Sequence, residues 1–406
     1  YIGISTAVVI STTLGLTVTA QQRSHALWKV LGIPGRRIRS VILWQVCAVS
    51  LVGGLLGGLL ALPTARVYLL TWREFSLFPD DLPLSMPLFG IPATILVTAL
   101  FSVLGGLGAA RRAANVPEMQ ALREATSPRS RTKLWQWIAA GFFLIPVVLM
   151  PILINLPPEA LHSAHTPEMP DVPAEAATAD FESPGDRAVL GGGIGLMVTL
   201  AALFIPNWTV RPLLIGWTSL IPGRSPAWFA ARANARHRSA FSLTTIVPFA
   251  IAVAMTGVFH TVANAGRAAG GMHGGVNGFL TIMVPIFFVA GAGGIANIAM
   301  VGRTRRQEGA LLGVIGARSG TILGSTILEG AIYAITGILF GLAVTLLSAT
   351  LAALMSGGGM EVFIGSIPVT TLLPTIGASL VLAITTTWLP AQLDRRPMME
   401  SLRQPV

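Results

Sequence analysis

The stretch "HALWKVLGIPGRRIR" (residues 25–39) is a basic, helix-like segment between two strongly apolar regions of the chain. A second copy, "GALLGVIGARSGTIL" (residues 309–323), follows 284 positions later. Apolar residues recur in both copies with the i, i+3, i+4 spacing of an amphipathic helix; these are Leu27, Val30 and Leu31 in the first copy and Leu311, Val314 and Ile315 in the second. Gly32 and Gly316 follow them, and each predicts a left-handed helix stop.

The composition of the chain indicates an integral membrane protein. Of its 406 residues, 53% are hydrophobic and only 11% are charged, whereas a soluble domain carries about a quarter charged residues. Nine segments approach the length of about 20 residues that a helix needs to cross a bilayer. The sequence therefore predicts an all-α integral membrane protein with nine visible transmembrane helices, at residues 1–20, 41–70, 91–110, 137–155, 188–207, 242–262, 278–300, 324–350 and 370–390.

The net charge of +10 follows this topology. If all nine segments cross, the connections on one side carry 23 Arg and Lys against 5 Asp and Glu, and those on the other side carry 3 against 11. Cytoplasmic connections of membrane proteins are enriched in Arg and Lys. We therefore expect the basic connections and the C-terminus in the cytoplasm, and we expect no nucleic-acid partner.

The largest outer loop, residues 156–187, contains six Pro and seven acidic residues and too few large apolar residues to bury a core. The loop is predicted to be a solvated tether, with a ligand-binding lid as the alternative. His162 and His165 lie close to Glu159 and Glu168, but nothing rigid would hold them, so no metal site is predicted.

The internal repeat continues beyond the basic segments. At the same offset Gln45 aligns with Glu329, Gly53 with Gly337, and Gly57 with Gly341. The third span of each unit is followed by similar tails, "PEMQALR" (residues 117–123) and "PMMESLR" (residues 397–403). The two units lie an even number of spans apart, so the sequence predicts two parallel repeats.

These motifs resemble the FtsX-like permease family of ABC transporters, which includes macrolide and lipoprotein exporters and bacitracin-type peptide-resistance permeases. "RRQEGALLGVIGAR" (residues 305–318) is similar to the family pattern, and "QRSHALWKVLGIPGRR" (residues 22–37) is less so, with Ser24 at the Glu position. "ARANARHRSAF" (residues 231–241) looks like the basic lead-in to the first span of a family unit.

The resemblance implies a division of the chain into three parts. Residues 1–123 form a first FtsX-like unit that lacks its first span, so ten spans are expected in the full chain. Residues 124–227 form a two-helix connector with the acidic outer loop and an in-plane segment at 208–227, and residues 228–406 form the second unit. Only the short segment 264–278 stands where bacitracin-type permeases carry a large extracellular domain, which argues against peptide sensing of that kind.

The resemblance also implies that the two basic segments dock on two copies of a cytoplasmic ABC ATPase. The expected contact residues are His25, Trp28, Lys29, Gly32, Arg36 and Arg37 in the first copy and Arg305, Arg306, Glu308, Gly316 and Arg318 in the second. An interfacial helix that anchors to lipid headgroups is the alternative.

The energy source is predicted to lie in that partner. The chain has no G-x-x-x-x-G-K-[ST] phosphate loop, so we expect a non-catalytic subunit without a cofactor of its own, with ATP and Mg²⁺ bound by the ATPase. Arg66 and Glu329 are the two charged residues within the predicted spans, whereas ion-coupled carriers usually need several. Glu329 is expected to cap or hydrogen-bond the coupling region.

Two further motifs predict helix packing and membrane seating. Gly53-x-x-x-Gly57 and Gly337-x-x-x-Gly341 are small-x-x-x-small pairs, which let helices approach closely; a sliding surface is the alternative. The segment from Trp208 to Trp228 is predicted to be an in-plane amphipathic helix with aromatic anchors, with an ATPase contact as the alternative.

The predicted function is that of a permease subunit in a bacterial cytoplasmic membrane. It would couple ATP hydrolysis to export or extraction of an amphiphilic, lipid-like or peptide substrate, or to mechanical signalling, with an extracellular accessory protein as a further candidate partner. One alternative is a non-transporting scaffold that relays ATPase motion (mechanotransmission) to a cell-envelope enzyme. Another is an ion-coupled secondary carrier.

Overall fold

The computed structural model describes residues 27–73, 89–114, 134–154, 183–223, 225–237, 239–270, 313 and 316–393. All regular elements in these ranges are helical, as the composition predicts. They are α1 (Gly35–Arg73), α2 (Gly90–Ala114), α3 (Leu134–Ile154), α4 (Pro184–Phe204), α5 (Pro206–Leu220), α6 (Pro226–His237), α7 (Ser239–Ala268), α8 (Ser319–Ser356), α9 (Gly359–Ser366) and α10 (Val369–Leu393).

Six stretches of the described chain are long and apolar enough to cross a membrane: Gly35–Ala61, Gly90–Arg111, Pro184–Phe204, Ser242–Ala268, Ser319–Ser356 and Gly359–Trp388. A shorter apolar stretch, Gln136–Leu149, lies in α3. The predicted spans 1–20 and 278–300 fall outside the described residues. The chain is therefore a multi-pass helical membrane protein, and the total of nine spans stays a prediction.

Helices α4, α7 and α8 form a core in which glycines bring backbones together. A Cβ at Gly195 would lie 2.5 Å from the Cβ of Ser348, and one at Gly191 would lie 2.6 Å from the carbonyl oxygen of Leu351. The hydroxyl of Ser348 donates to the carbonyl oxygen of Gly192 (2.7 Å). Helix α4, predicted as part of a connector, is thus an integral part of this core.

The predicted in-plane segment is divided into two helices. Helix α5 ends at Leu220 and α6 begins at Pro226, because the proline at the start of α6 fits a first helical turn but has no N–H for a helix interior. Val210 and Leu214 of α5 are buried in the same apolar cluster as residues of α7 and α8. A single helix over this segment is therefore wrong, and its orientation in the membrane stays a prediction.

Helices α1 and α2 form a hairpin and pack mainly against each other. Ile38 and Ile42 of α1 are buried with Ala109 and Ala110 of α2. This cluster lies at the start of α1 and the end of α2, so it fixes the end of the hairpin that carries the first basic segment.

Candidate coupling segments

The first basic segment ends in a Schellman turn. The N–H of Ile33 donates to the carbonyl of Trp28 (3.0 Å), and the N–H of Gly32 donates to the carbonyl of Lys29 (2.8 Å). These two bonds define that motif, which requires a left-handed conformation at the first residue after the helix, here Gly32. Gly32 has φ 84°, so the predicted glycine stop is confirmed.

The second basic segment repeats this turn where it is described. Gly316 has φ 99°, and its N–H donates to the carbonyl of Gly313 (3.0 Å), the counterpart of the bond between Gly32 and Lys29. The next helices, α1 and α8, begin at Gly35 and Ser319, which are also 284 residues apart. The two glycine turns therefore share these backbone features, and the repeat of the whole units stays a prediction.

The two described segments present basic and apolar side chains at the surface of the chain. Arg36, Arg37 and Arg318 are exposed. Leu27 and Val30 are also exposed, and Leu31 is 78% exposed. Trp28 is exposed and Lys29 is half-buried, while His25, Arg305, Arg306 and Glu308 lie outside the described residues. The predicted apolar side of the first helix is thus not covered by the part of the chain that the structure describes.

The first segment is fixed to the hairpin below it. A Cβ at Gly35 would lie 2.7 Å from the carbonyl oxygen of Ala114, the last residue of α2. Ile33 packs against the buried cluster of the hairpin. A force applied to this turn would therefore act on the ends of α1 and α2 together.

Glu329 is buried in a polar network within the helices, and its predicted bond to the coupling region stays a prediction. Its side chain is 4% exposed and accepts a hydrogen bond from the hydroxyl of Tyr333, one turn along α8. Ser242 of α7 lies 3.3 Å from that hydroxyl and donates to the carbonyl of Ala235 in α6 (2.7 Å). The carboxylate thus belongs to a polar network that joins α6, α7 and α8, whereas Gln45 is exposed.

Arg236 joins α5 and α6, a contact that the sequence reasoning missed. Its guanidinium donates to the hydroxyl of Thr218 (2.9 and 3.0 Å) and to the carbonyl of Ile215 (2.9 Å). Burial and the nearby charge of Arg232 lower the pKa of Arg236. The segment 205–240 contains no Asp or Glu, and this absence was the available signal that arginine would bond to helix-end carbonyls.

His260 is a second residue that the sequence reasoning missed. It lies within the span of α7, is 1% exposed, and donates from Nδ1 to the carbonyl of Thr256 (2.8 Å). Its Nε2 is buried without a hydrogen-bond partner in the described structure. An ionisable residue inside an apolar span is by default a functional candidate, so its position in the sequence was a sufficient signal.

The glycine pairs behave differently in the two units. A Cβ at Gly337 would lie 2.8 Å from the Cβ of Phe249, and one at Gly341 would lie 2.5 Å from Cγ1 of Val253, so this pair packs against α7. At Gly53 and Gly57 a Cβ would meet nothing within 4 Å in the described part of the chain.

The neighbouring pair makes the helix contact in the first unit. A Cβ at Gly54 would lie 3.2 Å from Ile95, and one at Gly58 would lie 2.9 Å from Ile91, both in α2. Among the described helices, Gly54 and Gly58 therefore face α2, and packing at Gly53 and Gly57 stays a prediction. One residue turns a helix by about 100°, which is enough to exchange one pair for the other.

Within the described residues, no group of three or more His, Cys, Asp and Glu could hold a metal ion. The two histidines of the acidic loop, His162 and His165, lie outside those residues. The structure thus adds no metal site to the coupling segments.

Comparison with known proteins gives one family. The family model described as FtsX-like permease C-terminal matches residues 2–117 and 280–395, which together exceed half of the chain. Each matched stretch contains one basic segment and its glycine turn. No curated protein matches the chain, and no solved structure does.

Proposed function

This chain belongs to the FtsX-like permease family, and from that premise we propose that its two basic segments couple the motion of ATPase subunits to the membrane. The family makes the chain a non-catalytic membrane subunit of an ABC transporter. In the proposal, two copies of a cytoplasmic ATPase bind ATP and Mg²⁺, and each copy contacts one segment.

The observation that carries this proposal is the repeated turn. Two segments 284 residues apart share a left-handed glycine, the same backbone bond before it and the same start of the following long helix. A bilayer anchor needs only an amphipathic surface. Two matching turns, each joined to a long helix, instead suit two levers that meet identical partners. The first lever is the basic segment with the Gly32 turn and α1, and the second lever is the basic segment with the Gly316 turn and α8.

The charge distribution supports a common side for the two segments. Residues 21–40 and 301–323 carry nine Arg and Lys against one Glu, and such segments favour the cytoplasm. Two parallel units with a cytoplasmic C-terminus place both levers where an ATPase dimer can reach them. This arrangement agrees with the proposed boundaries at residues 123 and 228.

The described spans favour an amphiphilic, lipid-like or peptide cargo, or mechanical signalling, over small hydrophilic solutes. The buried hydroxyls of Thr199, Thr256, Thr345 and Thr375 all donate to the carbonyl four residues earlier on their own helix. Hydroxyls satisfied in this way offer little to a passing hydrated solute.

One observation favours the ion-coupled carrier as a second candidate. The Nε2 of His260, which has no hydrogen-bond partner among the described residues, is buried in α7, and proton relays in carriers use such residues. A carrier of this kind would respond to an ion gradient without any ATPase, so substrate movement in ATPase-free vesicles would distinguish the two functions.

The test of the coupling proposal is charge reversal at exposed arginines. The pair Arg36→Glu with Arg37→Glu, and separately Arg318→Glu, is introduced into the full-length protein co-expressed with the ABC ATPases of its source. Each change should lower the apparent affinity for the ATPase about tenfold, because reversing one charge in a contact between complementary charges weakens binding.

Arg66→Gln is the matched control, because Arg66 is exposed farther along α1 and removal of its charge should leave ATPase binding unchanged. Pull-down and ATP hydrolysis of the purified complex are measured. If the reversed variants retain the ATPase as well as the parent does, the segments are lipid anchors and the proposal fails.

A further inference from the structure

Helices α5 and α6, which lie outside both family-matched stretches, are fastened to α8 at two levels. The indole Nε1 of Trp217 donates to the hydroxyl oxygen of Thr336 (2.9 Å). The carbonyl of Ala235 accepts from Ser242, which lies against Tyr333. These contacts join α5 and α6 to one face of α8.

The bond between Trp217 and Thr336 is well placed to hold. Thr336 is fully buried and donates its own proton to the carbonyl of Ile332 (2.6 Å), so its oxygen is free to accept the indole N–H. The ring of Trp217 packs on the main apolar cluster. A hydrogen bond in such a low-dielectric setting is strong, and losing one partner leaves a buried polar atom unsatisfied.

The aligned positions of the first unit carry no side chains that could make these hydrogen bonds. The residues 284 positions before Tyr333 and Thr336 are Val49 and Val52, which are 73% and 59% exposed. Valine carries no hydroxyl, so neither side chain can accept or donate a hydrogen bond. The two levers of a duplicated protein are therefore held differently.

We propose that α5 and α6 act as a clamp on the second lever, with Trp217 and Thr336 as positioning residues. This inference rests on the proposed coupling function. Helix α8 runs for 38 residues without a break from the Gly316 turn, so it spans about 57 Å. The clamp grips it about 26 Å along that length and makes movement of the second segment move α5 and α6 together with the core of α4, α7 and α8.

The first segment, in contrast, is fixed among the described residues to the hairpin of α1 and α2. The two halves then respond unequally to the same ATPase. The second half drives the core, and the first half follows the nucleotide state without that load.

Spin labels at Ser40→Cys and Ser319→Cys, exposed residues that are not among the expected ATPase contacts, in a Cys47→Ser background, test this in the full-length complex. Their separation is measured without nucleotide and after trapping with ATP and vanadate. Trp217→Phe keeps the ring and removes the donor, and Thr336→Val keeps the shape and removes the acceptor. After trapping, each variant should lower the ratio of molecules at the untrapped separation to molecules at the trapped separation about fivefold, because the second segment then moves without the load of the clamp. A change of about fivefold is the effect of one hydrogen bond on an equilibrium.

The double variant should behave like either single variant, because both remove the same bond. Thr336→Ser keeps the hydroxyl and should behave like the parent. Thr350→Val is the matched control, since Thr350 makes the same backbone bond on α8 (2.8 Å) but is exposed. Melting temperature and ATPase pull-down are recorded for every variant.

The outcomes separate the clamp from the coupling function. If the parent binds no ATPase, the coupling function fails and the clamp fails with it. If the parent binds ATPase and changes its separation on trapping, but Trp217→Phe and Thr336→Val match the parent or Thr350→Val, the clamp alone is overturned. The clamp is also overturned if the change in the population ratio of the double variant is the sum of the two single changes on a free-energy scale, because additive changes would arise from general destabilisation.

Discussion

Gly32 and Gly316 show how single residues define the coupling segments. Their φ angles of 84° and 99° lie in the left-handed region, where an L side chain costs about 1–2 kcal/mol. Nothing lies within 4 Å of a Cβ at either position in the described structure. The requirement for glycine is therefore one of backbone conformation and not of space.

Replacing either glycine by alanine should loosen its turn. Gly32→Ala or Gly316→Ala should cost about 1 kcal/mol, and amide hydrogen exchange in the turn should rise about fivefold. Gly320→Ala is the control, because Gly320 lies in the first turn of α8 without a positive φ and with open space around it. Exchange at the control should not rise, and equal exchange in all three variants would contradict the assigned strain.

At the scale of elements, glycine decides which helix faces meet. On α4, Gly195 lies against Ser348 of α8, whereas a Cβ at Gly193 would meet nothing within 4 Å in the described chain. The sequence shows only a run of glycines there. Close approach is thus decided by the helix face on which a glycine lies, and Gly193 does not share it with Gly191, Gly192 and Gly195.

The variants Gly195→Leu and Gly193→Leu separate the two faces of α4. Gly195→Leu should destabilise the protein by about 3 kcal/mol, since the new side chain would overlap the backbone and Cβ of α8. Gly193→Leu adds the same side chain towards open space and should change the melting temperature little. Thermal unfolding of both purified variants gives the comparison, and similar melting temperatures would exclude the packing described here.

At the scale of the molecule, sidedness is the property that coupling requires. The charge distribution predicts that Arg36 and Arg318 share one side and that Glu361, exposed on α9, lies on the other. Both levers must face one compartment if one kind of ATPase is to engage them.

Cysteine labelling measures this sidedness directly. The chain has a single cysteine, Cys47, so Cys47→Ser provides a background for Arg36→Cys, Arg318→Cys and Glu361→Cys. A membrane-impermeant maleimide should label the first two in inverted vesicles and the third in right-side-out vesicles. Opposite sides for Arg36 and Arg318 would rule out a parallel repeat and with it the two-lever mechanism.

The outcome of the sequence predictions follows the range of the interactions involved. The stop at Gly32 was predictable because a left-handed turn needs glycine whatever surrounds it. The choice of glycines on α1 that face α2 was not predictable, because a small rotation of the helix presents Gly54 and Gly58 in place of Gly53 and Gly57. The bond from Trp217 to Thr336 joins residues 119 positions apart, and no local pattern indicates such a pair.

The sequence by itself determined the helical membrane class, the duplicated turn and the family, since hydropathy, glycine conformation and motif spacing act over a few residues. Only the tertiary structure decided which face of each helix is buried and that α4 and α5 pack against α7 and α8. The physical reason is that membrane helices are apolar all round, so no hydrophobic stripe marks the inner face. Close packing and buried hydrogen bonds then select the face, and both depend on residues distant in the chain.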